Sequence, residues 1–197
     1  GGMVVIAANA ANNLMASVVN NTGVIRASSM VNNGGVIELT AGTVTQAGRV
    51  SANGRGGELA SSAAAPATQS NPGTKGGRIS MTGDDVVLAA GSSTKATGSA
   101  GGGVINIGTT KVSFVTNANG TRSQPKPEGL AKTVSIAPTA LVDASATLSG
   151  NGGDINIWSS LKTSVAGVLK ATGGVLGGNG GFIETSSKGV LDILKGI

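Results

Sequence analysis

The sequence contains no cysteine, no histidine and no tyrosine, and its aromatic side chains are Phe114, Trp158 and Phe182 alone. Each absence removes a class of chemistry. Without histidine or cysteine the segment can hold no Ser-His-Asp triad, no Cys-His pair and no imidazole or thiolate metal site. Disulfides are excluded too, which suits a chain that crosses a membrane unfolded and folds outside. Three rings are too few to form base-stacking platforms, and no run of basic residues is present, so nucleic acid is not an expected partner. No stretch of 18 apolar residues occurs, so no transmembrane helix is expected. No signal peptide is visible: Gly1-Gly2 already lies inside a repeat, and neither end carries the polar cap of a finished solenoid. The chain therefore reads as a single segment, 1–197, of a longer protein. Its formal net charge of +5 is expected to sit on solvated faces.

What the sequence has in abundance is glycine, 34 residues of it, in no G-X-Y period and with 39% hydrophobic residues, which excludes collagen and disorder. Seven Gly-Gly pairs open similar stretches: GGMVVIA (1–7), GGVIELT (34–40), GGELASS (56–62), GGRISMT (76–82), GGVINIG (102–108), GGDINIW (152–158) and GGFIETS (180–186). The second residue after each pair is Val4, Ile37, Leu59, Ile79, Ile105, Ile155 or Ile183, and a mostly polar residue separates it from the next apolar one. Such alternation buries one strand face and wets the other. Upstream of the pairs the chain reads GVIRA (23–27), GRVSA (48–52), SSTKA (92–96), ALVDA (140–144) and GVLKA (167–171), with apolar or small third and fifth positions and a polar fourth. A looser third stretch, as in DDVVLAAG (84–91) and SLKTSVAG (160–167), completes a three-sided coil.

The pairs start 33, 22, 20, 26, 50 and 28 residues apart. Splitting the interval of 50 at Val134-Ser-Ile136 gives about 26 residues per turn, a solenoid spacing. The expected fold is an all-β, single-stranded parallel β-helix of about eight turns, right-handed by the crossover rule. Glycine would serve it by adopting positive φ at corners and by letting turns approach closely.

Two stretches break the repeat and are expected to leave the coil as loops near 62–75 and 111–132, since proline cannot donate to a ladder. The second is the longer and more basic, and its Lys111, Phe114, Arg122, Lys126 and Lys132 are the candidate ligand-binding residues, Phe114 packing against the coil. Gly83-Asp84-Asp85 is similar to the GDD element of polygalacturonases, but the other elements of that active site are missing, and neighbouring strand residues face opposite ways. No catalytic, cofactor or metal residues are assigned, and the chain is not expected to be an enzyme. GNGGDINIW (150–158) is out of register with the calcium-binding nonapeptide. Two Asn-x-Ser/Thr sequons, at Asn20 and Asn119, are no more than chance supplies.

The stretches GGGVINIG (101–108), ALVDASATLSGNGGDINIW (140–158) and ATGGVLGGNGGFIETSSKGVLDI (171–193) resemble the filamentous-haemagglutinin class of exoproteins. Ser187 stands where that pattern has a glycine. Trp158 and Phe182 match as structural residues, and there are no catalytic residues to carry over. The resemblance implies a secreted or surface-displayed protein of a Gram-negative bacterium, exported through an outer-membrane two-partner-secretion transporter and folded into a long right-handed β-helix. It also implies an adhesin acting in cell adhesion or biofilm, binding a host glycan or protein or a biofilm polysaccharide; a few members capture haem carriers. The secretion-recognition domain of such a parent lies at its amino terminus and is not recognisable here. Glycosylation of some members gives Asn20 and Asn119 added interest. This segment is expected to be part of the β-helical shaft, or else a ligand-binding module using the 111–132 loop.

Overall fold

The computed structural model describes residues 2–9, 17–27, 34–54, 73–119 and 121–194. Three strands make each turn. The first turn comprises β1 (Met3–Ala7), β2 (Val18–Asn21) and β3 (Val24–Arg26); the second β4 (Val36–Thr40), β5 (Thr43–Gln46) and β6 (Arg49–Ser51); the third β7 (Arg78–Thr82), β8 (Asp85–Leu88) and β9 (Ser93–Lys95). The fourth begins with β10 (Val104–Ile107), is interrupted by β11 (Lys111–Thr116) and β12 (Arg122–Glu128), and resumes with β13 (Ala131–Ile136) and β14 (Leu141–Asp143). In the fifth, β15 (Asp154–Val165) runs unbroken across two sides before β16 (Val168–Lys170). β17 (Phe182–Ser187) and β18 (Val190–Ile193) begin a sixth.

Like strands of successive turns pair in parallel and in register, which makes three faces. The first joins β1, β4, β7, β10, β15 and β17; the second β2, β5, β8, β13, the later half of β15 and β18; the third β3, β6, β9, β14 and β16. Because side chains alternate along each strand, in-register pairing stacks identical positions into columns. Ile37, Ile79, Ile105 and Ile155 form one such column, and Leu39, Met81, Ile107 and Ile157 another, all fully buried. Val44, Val86 and Val134 line up on the second face, Val50 and Val142 on the third, with Ala52, Ala96 and Ala144 at the corner beyond. Each large buried side chain contributes about 1.5–3 kcal/mol. One inward column begins polar: Asn21 donates from Nδ2 to Gln46 Oε1 at 2.6 Å, and Gln46 donates on to Gly48 O at 3.0 Å.

Among the described residues the stack has five complete turns and two sides of a sixth, where about eight turns were expected. One expected rung lies outside the described residues and another was misread. GGELASS (56–62) lies outside the described residues; β4 and β7, before and after it, pair directly with each other. Val134-Ser-Ile136 belongs to the second face of the fourth turn, and β10 pairs directly with β15. The interval of 50 residues is thus one turn with an insertion.

The Gly-Gly pairs mark the corner between the third and first faces. Gly153 N–H donates to Ala144 O at 2.7 Å, and a Cβ placed on Gly153 would come within 1.9 Å of Gly103 O. A Cβ on Gly103 would meet Gly77 O at 2.2 Å in the same way. Neither residue has positive φ; close approach alone excludes side chains here, so the left-handed conformation expected at these corners is not what the pairs supply.

Residues 62–72 of the first expected loop lie outside the described residues. The second expected loop, 111–132, is instead an antiparallel β11–β12 hairpin followed by two residues of the coil, Ala131 being fully buried. Pro125 and Pro127 are tolerated because β12 pairs only with β11, leaving its other edge free among the described residues.

Candidate ligand site

The hairpin leaves the coil between the first and second faces and folds back over the first. Thr109, fully buried at its root, donates from Oγ1 to Glu128 O at 2.7 Å and so ties the two hairpin strands together where they leave the coil. At its far end, Phe114 meets Phe182 edge to face, with ring centroids 5.1 Å apart and planes at 82°. The Arg122 guanidinium lies over both rings, 5.2 Å from Phe114 and 5.6 Å from Phe182, while its Nη1 pairs with Asp154 Oδ2 at 2.8 Å. One side chain therefore fastens β12 to β11, β15 and β17 together.

Beneath the hairpin runs a polar column. Ser80, Asn106 and Asn156 point away from the core, yet Asn106 is only 1% exposed and Asn156 3%. Asn156 donates from Nδ2 to Asn106 Oδ1 at 3.0 Å, and Asn106 donates from Nδ2 to Thr110 O at 3.1 Å. Asn156 Oδ1 is buried without a hydrogen-bond partner. Between hairpin and face lies a groove of about 280 Å³, its walls including Arg78, Lys111, Phe114, Arg122, Asn106 and Asn156. Three cations, of which Arg122 is paired with Asp154 in the same wall, two amides and a ring make it suited to an anionic or hydroxyl-rich group.

Of the residues singled out from sequence, Lys111, Phe114 and Arg122 come together here. Lys126 sits exposed on β12 opposite Ser113, away from the groove walls. Lys132 belongs to β13, in the coil, and pairs with Asp84 at 3.2 Å. Arg78, Asn106 and Asn156 were not among the candidates. The two asparagines hold the polar position of their Gly-Gly strands, read as a solvated face because nothing local shows that a hairpin covers it. Arg78 lies in register with Val36 and Val104, which gives it no repeating signal. Asp84 and Asp85 serve different partners, since Asp85 Oδ1 accepts from Thr133 Oγ1 at 2.6 Å. Among the described residues no three carboxylates come together as a metal site would require.

Stacked parallel turns define the class, a β-solenoid. No protein-family model matches the sequence, and no curated protein matches it. Among solved structures, that of the HMW1 secretion domain from Haemophilus influenzae is similar, with a TM-score of 0.57 and 21% identity over 89% of this chain. This chain spans 42% of that one, less than half its length. The likeness fixes the fold as the β-helical one that the resemblance to the haemagglutinin class implied.

Proposed function

We propose that this chain is a segment of the β-helical shaft of a large adhesin, secreted by or displayed on a Gram-negative bacterium and exported through an outer-membrane two-partner-secretion transporter that handles the parent protein. The observation that carries the reading is the in-register stack: each turn buries its own apolar columns, so length and stiffness grow together without a larger globular core. The similarity to a domain named for secretion supports the transporter as partner. As a shaft, the chain should reach the medium, folded and protease-resistant, only when placed behind a separate export-recognition domain and expressed with its transporter. Export of the chain alone would mean that it carries the recognition signal itself; retention of the fused form inside the cell would overturn the reading.

The second reading, a ligand-binding module, is favoured by one observation, the groove beneath the hairpin with its unpartnered Asn156 Oδ1. Host proteins, haem carriers and polysaccharides are the classes to screen. The informative deletion is 112–127, because a longer one would remove the buried Ala131 and damage the coil. Saturable binding lost on that deletion would establish the module; binding retained would exclude the hairpin.

A further inference from the structure

Charge is divided unevenly among the three faces. On the strands of the first face the outward residues Glu38, Arg78, Asp154 and Glu184 include one cation. The narrow third face carries Arg26, Arg49, Lys95 and Lys170 against the single carboxylate of Asp143. Elsewhere three cations are paired, Arg122 with Asp154, Lys132 with Asp84 and Lys162 with Asp192. On the third face Arg49, Lys95 and Lys170 form no such pair among the described residues. Asp143 is nearly covered, and its Oδ1 accepts from Ser145 N–H at 3.0 Å.

Register sets the spacing. Arg26, Ser51, Lys95, Asp143 and Lys170 occupy one column, each aligned with the next. Cations thus recur on alternate rungs, about 10 Å apart at the ordinary strand spacing, and the column spans about 19 Å. Two grooves run along it, of about 200 and 730 Å³, and they share Arg26, Arg49 and Lys95. The larger is rimmed by hydroxyls and by exposed Leu148 and Val175, surfaces that fit the C–H faces of sugar rings.

We propose that the third face is a binding track for a linear acidic polysaccharide lying along the solenoid axis, its carboxylates spaced about one per disaccharide. Duplex DNA is a poorer fit, since its charges lie about 1.7 Å apart along the axis. A single strand would want aromatic platforms, and the strands of this face carry none. The track is separate from the hairpin groove and independent of the shaft reading, which stands or falls on the export assay.

The test uses the 197-residue chain and fluorescently labelled hyaluronate decasaccharide, followed by anisotropy, with neutral dextran and duplex DNA of equal charge as competitors. Saturable binding that weakens with salt is expected. Lys95→Gln with Lys170→Gln should raise Kd at least about tenfold, and Lys95→Arg with Lys170→Arg should retain binding. Lys162→Gln with Lys188→Gln removes the same charge away from both the hairpin and the third face and should leave Kd unchanged. Absence of saturable binding, equal loss in the two Gln pairs, or displacement by DNA at or below the concentration of unlabelled hyaluronate needed would each overturn the proposal.

Discussion

At Gly153 the difference between glycine and alanine is a single carbon set against a carbonyl oxygen of the neighbouring turn. Neither partner is a flexible side chain, so the backbone itself must shift. Gly153→Ala should therefore lower stability in urea by about 3 kcal/mol, the upper end of overpacking. Gly180→Ala, where the nearest atom would be 3.8 Å away, should stay within about 0.5 kcal/mol. Equal effects at the two positions would refute the close-approach account. Ile155 and Ile183 occupy the same column one turn apart, but Ile155 is fully buried whereas Ile183 is partly exposed. Ile155→Ala is expected to cost about 2–5 kcal/mol, and Ile183→Ala clearly less, in the same denaturation experiment.

At the scale of the element, the hairpin is an appendage fastened at two points, the Thr109 root and the Arg122 clasp. Arg122→Ala removes an ion pair and two cation–π contacts without touching a core column. Amide exchange in β11 and β12 should rise while that of β10, β13 and β15 stays as it was; uniform acceleration would show that the hairpin supports the coil. Alternation made the first and third faces legible, because Ile37, Ile79, Ile105 and Ile155 repeat after glycines and Ala52, Ala96 and Ala144 close each turn. The hairpin was not legible. Pro125 and Pro127 argued against pairing, and only the free edge of β12 makes them acceptable. The contact of Phe114 with Phe182 joins residues far apart in sequence, with no local pattern to announce it. The shared position of Lys95 and Lys170 was legible as the polar fourth residue of the repeat, but their spacing of two rungs was not, because the number of turns between them was miscounted.

For the molecule as a whole, stability is a sum over neighbouring turns, and its weakest terms are at the ends. Leu191 and Ile193 stand in register with the buried Thr163 and Val165, yet both are exposed, with no further rung over them among the described residues. The chain should associate at high concentration through these ends, seen as a growing fast-sedimenting fraction in velocity sedimentation. Ile193→Lys should reduce it. A strictly monomeric chain at every concentration would count against the prediction.

The unequal lengths of the turns matter once the chain is pulled. Tension along the axis opens rungs one after another, since each is held only by its neighbours. Opening the stretch from Gly76 to Gly102 frees 26 residues, about 90 Å of extended chain, whereas the stretch from Gly102 to Gly152, hairpin included, frees 50, about 170 Å. The hairpin turn is therefore a reserve of slack: a load that opens this one rung nearly doubles the give of an ordinary rung and postpones the force reaching the next.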